Sequence, residues 1–158
     1  MAQKGFTLIE LVIVLVLLGI VAIFVAPRLG NVPSMNAAAF SDKLRADIRY
    51  AQNLAMTRNQ RGRVTFRNAP NGHDVTLGGN PAIDPAGSGN LSVTLNTGNY
   101  TGISITIPTG FSGNYVEFDS LGVPYDGGGT LAAAKSVTVT GGGSNYSVTV
   151  QPQTGAVN

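Results

Sequence analysis

The chain has 158 residues, of which 43% are hydrophobic and only 11% are charged, against roughly a quarter charged in an ordinary soluble domain. This length allows one modest domain and excludes a large multidomain enzyme. The sequence has no cysteine and one histidine, which excludes disulfide frameworks, thiolate metal sites and cysteine nucleophiles and leaves little for imidazole chemistry.

The net charge of +2 hides an uneven distribution of charged residues. Seven of the ten Lys and Arg lie between Lys43 and Arg67, whereas five of the eight acids lie beyond Arg67. The sequence therefore has a basic middle and a mildly acidic C-terminal part.

A run of 21 residues from Phe6 to Ala26 is apolar except for Glu10. As a helix it would be about 32 Å long, which matches the roughly 30 Å hydrocarbon thickness of a bilayer and predicts a transmembrane helix. A cleaved secretory signal with Lys4 as its positive flank fits less well, because the run is long and Pro27 directly follows its last small residue. A buried core helix would need more apolar surface than so small a domain can supply.

Glu10 is the exception inside this run. A carboxylate near the bilayer interior costs at least about 2.5 kcal/mol, so it predicts a functional role with a partner group. The alternative is that Glu10 lies near the membrane boundary and reaches the headgroups. Lys4 on one side and Arg28 on the other leave the topology open.

Two prolines follow the apolar run, and a second helix follows them. Pro27 and Pro33 predict a kink or local unwinding near residues 23 to 33. Residues 37 to 60 have the periodicity of an amphipathic helix, and Ser41 and Asp42 could equally cap a fresh start. The apolar residues at three- and four-residue steps are Phe40, Leu44, Ile48, Ala51 and Ala55.

Beyond Gly62 the sequence changes to short alternating segments separated by glycine-rich turn signals, which predict half-buried strands. Short links favour antiparallel pairing, so we expect an α+β fold with the helix packed on a mainly antiparallel sheet. Residues 78 to 90 are predicted to be the least structured loop. The alternating segments cover residues 63–67, 73–77, 91–95, 103–107, 115–119, 136–140 and 146–150, and the turn signals include Asn71-Gly72, Gly78-Gly79 and 141–143.

The sequence predicts no catalytic site, metal site or cofactor. His73 follows a turn signal without any nucleophile motif, so we expect a histidine at a turn or strand edge rather than a general base. The triple glycines at 127–129 and 141–143 lack the Lys-Ser/Thr ending of a phosphate loop. Asp119 and Asp126 flank a loop without the ligand spacing of an EF-hand, which favours turn chemistry over calcium binding.

Arg58, Arg61, Arg63 and Arg67 form the densest basic cluster. They could contact nucleic acid phosphates or anionic lipid headgroups, and strand alternation places Arg63 and Arg67 on one face. The favoured alternative is that they solvate the helix end and pair with acids of neighbouring subunits.

Residues 4 to 10, Lys-Gly-Phe-Thr-Leu-Ile-Glu, together with the apolar run, resemble the type IV prepilin signature. The resemblance implies that a prepilin peptidase cuts between Gly5 and Phe6 and that Phe6 is then N-methylated. It also implies that Glu10 meets the N-terminal amine of a neighbouring subunit. The expected protein is a non-enzymatic subunit of a type IV pilus or a type II secretion pseudopilus, with one pass through the inner membrane and its head on the extracytoplasmic side.

The head is similar to a narrower group, the type II secretion pseudopilin H and FimT minor pilins. Two alternatives remain, a DNA-binding minor pilin and the major pilin of an adhesive filament, but the last Thr-Gly turn here lacks the basic residues of DNA-binding members. The implied organisation is a removed leader at 1–5, a transmembrane and filament-core helix at 6–26, a kinked amphipathic helix at 27–61 and a β head at 62–158. The motifs are Leu44–Ala55, Gly62–Phe66, Glu117–Pro124, Tyr146–Val150 and Thr154–Val157.

Overall fold

The computed structural model of the chain describes residues 7–25, 32–87 and 89–158. These residues contain helix α1, Leu8–Val25, and helix α2, Val32–Arg58. Contacts divide the chain into two compact units, Met1–Val32 and Pro33–Asn158. The predicted cleavage site at Gly5 and Phe6, and the prolyl kink at Pro27, lie outside the described residues.

Helix α2 packs one apolar stripe into the core of the head. Every residue of the stripe is at most 1% exposed, which confirms the predicted helical periodicity. Ser41 does not cap a new helix, because it lies inside α2 and its hydroxyl donates to the Ala38 carbonyl at 2.7 Å. The helix ends where Asn59 takes φ 51° and Gln60 N–H donates to the Ala55 carbonyl, as in a Schellman turn. The stripe consists of Ala37, Phe40, Leu44, Ile48, Ala51 and Ala55.

The described strands of the head are β1 Gly62–Asn68, β2 Asn71–Leu77, β3 Asn80–Pro81, β4 Ser92–Thr94, β5 Ile103–Ile105, β6 Tyr115–Phe118, β7 Pro124–Asp126, β8 Gly129–Thr130, β9 Lys135–Gly141 and β10 Ser144–Val150. They form one sheet in the order β3-β2-β1-β6-β7-β8, with β4 also paired to β2, and a second sheet in the order β10-β9-β5. Every pairing among them is antiparallel, which confirms the predicted α+β class.

The sequence predicts a single sheet, whereas the described strands divide between these two. The side chain of Asn71 joins them where backbone pairing is missing. Its Nδ2 donates to the Ile105 carbonyl at 2.9 Å, and Ile105 N–H donates to its Oδ1 at 2.7 Å. The amide therefore satisfies the free edge of β5 as a neighbouring strand would.

Asn71-Gly72 lies inside β2 and not in a turn, so this turn prediction is wrong. The β1–β2 turn lies two residues earlier, at Ala69 and Pro70. Gly72 has φ +155°, and a Cβ there would lie 2.0 Å from the Val93 carbonyl oxygen. Glycine is used here because β4 approaches the backbone closely, and not because the chain reverses.

The loop from residue 78 to 90 has more regular structure than the sequence predicts. Its Gly78-Gly79 turn is confirmed, but Asn80–Pro81 pairs with β2 and Ile83 bridges Asn90. Ala82 is 5% exposed; its N–H donates to the Val75 carbonyl, and its carbonyl accepts the N–H of Leu91. The loop ends are thus anchored by burial and backbone pairing, which polar composition does not reveal.

On one flank of its buried stripe, α2 contacts the β6–β7 turn and the C-terminal segment. Gln52 Nε2 donates to the Gly122 carbonyl at 3.0 Å and to the Thr154 carbonyl at 2.9 Å. Arg49 donates to the Val157 carbonyl at 2.5 Å, and Val157 bridges β10. These contacts connect α2 to a turn of the first sheet and to the C-terminal segment beside β10 of the second.

Candidate functional site

The N-terminus of α1 is closed by a reciprocal cap between Thr7 and Glu10. Thr7 N–H and Thr7 Oγ1 donate to Glu10 Oε2 at 3.3 and 3.2 Å, and Glu10 N–H donates to Thr7 Oγ1 at 3.3 Å. This is a capping box, in which a Thr and the Glu three residues later satisfy each other's free backbone donors. The role of Thr7 is additional to the predicted site residues, and its signal in the sequence is the Thr-x-x-Glu spacing before an apolar run.

From Leu8 to Val21, the apolar surface of α1 is uncovered. Leu8 is 81% exposed, and the large side chains through Val21 remain at least 44% exposed. Within the described residues, no helix reaches the combined length and hydropathy that a complete membrane crossing requires. The predicted span of residues 6 to 26 includes positions outside the described ranges.

Arg61 and Arg63 lie on the outward face of the first sheet and share one carboxylate, that of Glu117. Arg61 NH1 lies 2.9 Å from Oε1, and Arg63 NH2 lies 2.7 Å from Oε2. Their guanidinium groups also stack over Tyr125 and Tyr115 at 4.4 and 4.1 Å from the ring centroids. Both arginines are thus held in place by groups of their own head, and Glu117 neutralises part of their charge.

Arg67 connects strands instead of extending a basic patch. Its Nε lies 2.6 Å from Asp74 Oδ2, and its NH2 donates to the Val93 carbonyl at 3.1 Å. It is 23% exposed and ties β1 to β2 and β4. Arg58, in the last turn of α2, is exposed and has no acid within ion-pair distance in the described part of the chain. The structure therefore does not bring the four arginines together as one set of free cations.

His73 is fully buried, so its expected place at a turn or strand edge is wrong. It lies in β2 between β1 and β4, facing α2, and its Nε2 is 2.9 Å from Asp47 Oδ2. Lys43 Nζ contacts the same oxygen of Asp47 at 3.0 Å. His73 is therefore not at a sheet edge, because β2 has a partner strand on both edges. Through Asp47 it forms a polar connection between α2 and β2.

Asp119 and Asp126 act in turns, as the sequence predicts. Asp119 Oδ1 accepts the N–H groups of Leu121 and Val123, both at 2.9 Å. Asp126 accepts Ser112 N–H and Gly128 N–H at 2.9 Å and Lys135 Nζ at 2.5 Å. Burial by itself would raise the pKa of Asp126, but the hydrogen bond from Lys135, the two backbone N–H groups and the charge of Lys135 lower it below its ordinary value. No group of acids, histidines or cysteines in the described ranges has the arrangement of a metal site.

Comparison with known families gives two matches. The prokaryotic N-terminal methylation motif matches residues 1–26, and the type II transport protein GspH matches residues 41–155. Searches of curated proteins and of solved structures gave no match.

The first match carries the prepilin signature and implies processing by a prepilin peptidase and assembly with other pilin subunits. Pilin and pseudopilin families are structural, membrane-anchored and filament-forming. The chain is therefore a structural subunit of a pilus or pseudopilus. Because the second match covers well over half of its length, the chain belongs to the type II transport protein GspH family.

Proposed function

We propose that the chain is made as a prepilin, cut between Gly5 and Phe6 by the prepilin peptidase and N-methylated on Phe6. Helix α1 then holds it as a single-pass protein of the inner membrane, with the head on the extracytoplasmic side, until it enters the filament. The observation that carries this proposal is the uncovered apolar surface of α1, with a carboxylate only in its first turn, joined to a head of the GspH family. Such a surface is stable in lipid and in a bundle of similar helices.

Glu10 is the residue we propose to guide docking. A carboxylate in hydrocarbon is unfavourable alone and tolerable when paired, so the N-terminal amine of a neighbouring subunit is its natural partner. The capping box supports this role, because it holds Glu10 Oε2 beside the N–H and hydroxyl of Thr7 at the positive end of the helix dipole. Before assembly, the carboxylate therefore already has hydrogen-bond donors within its own chain.

The processing step is tested by expressing the full chain with and without the peptidase and measuring its mass. We expect the peptidase to remove residues 1 to 5 and one methyl group to be added to Phe6. A Gly5→Ala variant, altered only on the leader side of the junction, is the matched control and should stay uncut. An intact Met1 on the chain isolated with the peptidase present would refute the proposal.

The role of Glu10 is tested by incorporation into filaments. Glu10→Gln keeps the size and a hydrogen-bonding group at the cap but removes the charge, whereas Glu10→Asp keeps the charge on a shorter side chain. We expect both variants to insert into the membrane, Gln to lower incorporation strongly and Asp to lower it less. Normal incorporation of the Gln variant would show that charge pairing at this position is not needed.

For the arginines we propose a structural role within the head, and no catalytic role for any group of the chain. The contacts of Arg61 and Arg63 with Glu117, and of Arg67 with Asp74, support this interpretation. DNA binding is the competing function, and titration with duplex DNA at two salt concentrations separates the two. Phosphate contacts would give an affinity that falls steeply as salt rises, which would contradict the structural role.

A further inference from the structure

The edge of β10 that faces away from β9 is only half occupied. Residues 156–158 of the C-terminal segment lie against its second half, where Thr149 and Asn158 exchange two backbone hydrogen bonds of 2.9 Å and Val150 bridges Val157. The first half, residues 144–148, has β9 on one side and no strand on the other among the described residues. About 16 Å of this strand is therefore unpaired, and we call it the open edge of β10.

The open edge presents backbone groups that point outward. In an antiparallel pair, alternate residues direct their N–H and carbonyl groups to the same side. Thr149 directs its groups to the C-terminal segment, so Ser147 and Asn145 also direct theirs away from β9. The register agrees, because Thr138 lies opposite Ser147 and its carbonyl accepts Thr106 N–H at 2.9 Å on the far side of β9. Ser147 and Asn145 are exposed, and their backbone groups have no partner among the described residues.

The open edge lacks the features that keep exposed strands from pairing, which are charged side chains, proline and bulges. Residues 144–148 include no charged residue and no proline, and their register with β9 runs without a bulge. The other described strands with an unpaired side differ. Strands β3, β4 and β8 have two or three residues each, and the Asn71 side chain covers the edge of β5. Within the described head, an added strand therefore gains most backbone hydrogen bonds at β10.

The C-terminal segment shows which side chains a strand on this edge carries. Its Val157 lies beside Val150 on the core face and is 2% exposed, whereas the residues before and after Val157 are exposed. A strand that continued this line would place alternate residues on the core face, one of them beside Tyr146. Tyr146 is only partly buried, so an apolar residue there would cover its ring. The edge thus fits an uncharged segment in which β-branched apolar residues alternate with small polar ones.

A second copy of the chain does not fit this edge. Two β10 edges would pair about a two-fold axis perpendicular to the sheet, and such an axis reverses every direction in the plane of the sheet. Helix α2 packs on the sheet, so it would run in opposite directions in the two copies. Subunits that share one membrane cannot be arranged in this way. The minor pilins that the head resembles are also few in a filament, so other subunits are their neighbours.

We propose that the open edge of β10 accepts an extended, uncharged segment of a different pilin-like subunit, which pairs antiparallel to β10 in line with the C-terminal segment. In strand addition of this kind, backbone hydrogen bonds supply the affinity and alternate side chains supply the specificity. The pairing fills the free backbone positions of Asn145 and Ser147 and fixes the head beside one kind of neighbour. The inference rests on the proposed function, since the membrane and the α1 helices bring the subunits together.

Proline at position 147 tests the pairing. The Ser147 N–H points away from β9, so Ser147→Pro removes only the outward donor, and proline is tolerated at such positions of edge strands. Ser147→Ala is the matched control, because it removes the hydroxyl and keeps the N–H. Both variants are made in the full chain, in cells that assemble the filament, and the protease resistance of the head shows whether each is folded.

We expect both variants to be processed and folded. Ser147→Pro should be about tenfold less abundant than Ser147→Ala in sheared filaments, because a lost donor leaves its acceptor unpaired. Equal abundance of the two folded variants would overturn the pairing and leave the proposed function intact. Chains that keep their leader would refute the proposed function and the pairing with it.

A second measurement does not depend on proline and decides the question if that variant misfolds. The photocrosslinking amino acid p-benzoylphenylalanine replaces Asn145 at the open edge or, as the control, Ser120 in the β6–β7 turn, and both positions are exposed. Filaments are irradiated, and the crosslinked peptides are identified by mass spectrometry.

We expect position 145 to crosslink to an uncharged, alternating segment of another pilin-like subunit, and position 120 not to crosslink to that segment. A crosslink from position 145 to a second copy of this chain or to a segment of another kind would overturn the proposal. Filaments that contain the chain but give no crosslink from position 145 would overturn it as well.

Discussion

The strongest prediction concerns the buried connection between α2 and β2. His73 is fully buried, Asp47 is 8% exposed at its side chain, and Nε2 and Oδ2 are 2.9 Å apart. Substituting His73→Leu keeps the volume of the side chain approximately but removes the only partner that Asp47 has on the sheet among the described residues. The carboxylate then depends on Lys43, whose side chain is 34% exposed.

The size of the effect follows from burial. Removing one partner of a buried carboxylate costs about 3 to 5 kcal/mol when the carboxylate is left without any other partner. Since Lys43 still contacts Asp47, we expect the lower end, a loss of about 3 kcal/mol in the free energy of unfolding. Such a loss corresponds to a fall in Tm of about 10 °C for a domain of this size.

The assay is a double-mutant cycle on the head, Pro33–Asn158, followed by urea unfolding. Asp47→Leu alone leaves the His73 ring without its partner and should cost about 1 to 3 kcal/mol. The double variant removes both polar groups, so it should lie within about 1 kcal/mol of the wild type. If the two single losses simply added in the double variant, the two groups would not stabilise each other and our reasoning would be refuted.

Three further predictions follow from other contacts. Asp126→Asn should destabilise the head by about 2 kcal/mol at pH 7. Because folding lowers the pKa of Asp126, its contribution is present above the pKa of the unfolded chain and is lost as pH falls through the folded value. In urea unfolding at a series of pH values, the stability of the variant should therefore fall less steeply than that of the wild type below about pH 4. Gly155→Ala should lower Tm measurably, because φ is +64° and the added Cβ would lie 2.6 Å from the Gly122 carbonyl oxygen, whereas Ala156→Gly in the same segment should have a smaller effect. Thr7→Val should weaken the cap of α1 by about 1 kcal/mol and lower filament incorporation, while Thr7→Ser should behave as wild type; equal incorporation of the two would exclude a role for the hydroxyl.

Much of the fold follows from local sequence patterns. Each alternating segment predicted as a strand contains one, and the apolar steps from Phe40 to Ala55 form the buried stripe of α2. The strands that the pattern missed, β3, β7 and β8, have two or three residues each and no alternating run around them, whereas β4 and β5 have three residues but lie within alternating runs of five. Periodicity identifies a short element only when the alternation continues beyond its ends.

The sequence interpretation failed where a residue's role depends on distant neighbours. Asn71 and Gly72 have the composition of a turn, but the first joins the two described sheets and the second admits β4. The arginines form a cluster along the chain, yet Arg67 binds Asp74 on the neighbouring strand, while Arg61 and Arg63 share Glu117 from a strand more than fifty residues away. Charge counting along the chain cannot predict these ion pairs.

By itself, the sequence determined the class of protein, because the prepilin signature and the apolar run are continuous segments whose chemistry can be identified without a fold. It also determined the α+β class, since helix and strand periodicities are local. Only the tertiary structure decided which polar groups are buried and paired, as the positions of His73, Asp47 and Arg67 show. The physical reason is that burial and electrostatic pairing depend on which segments pack together, and residues far apart in the chain supply the partners.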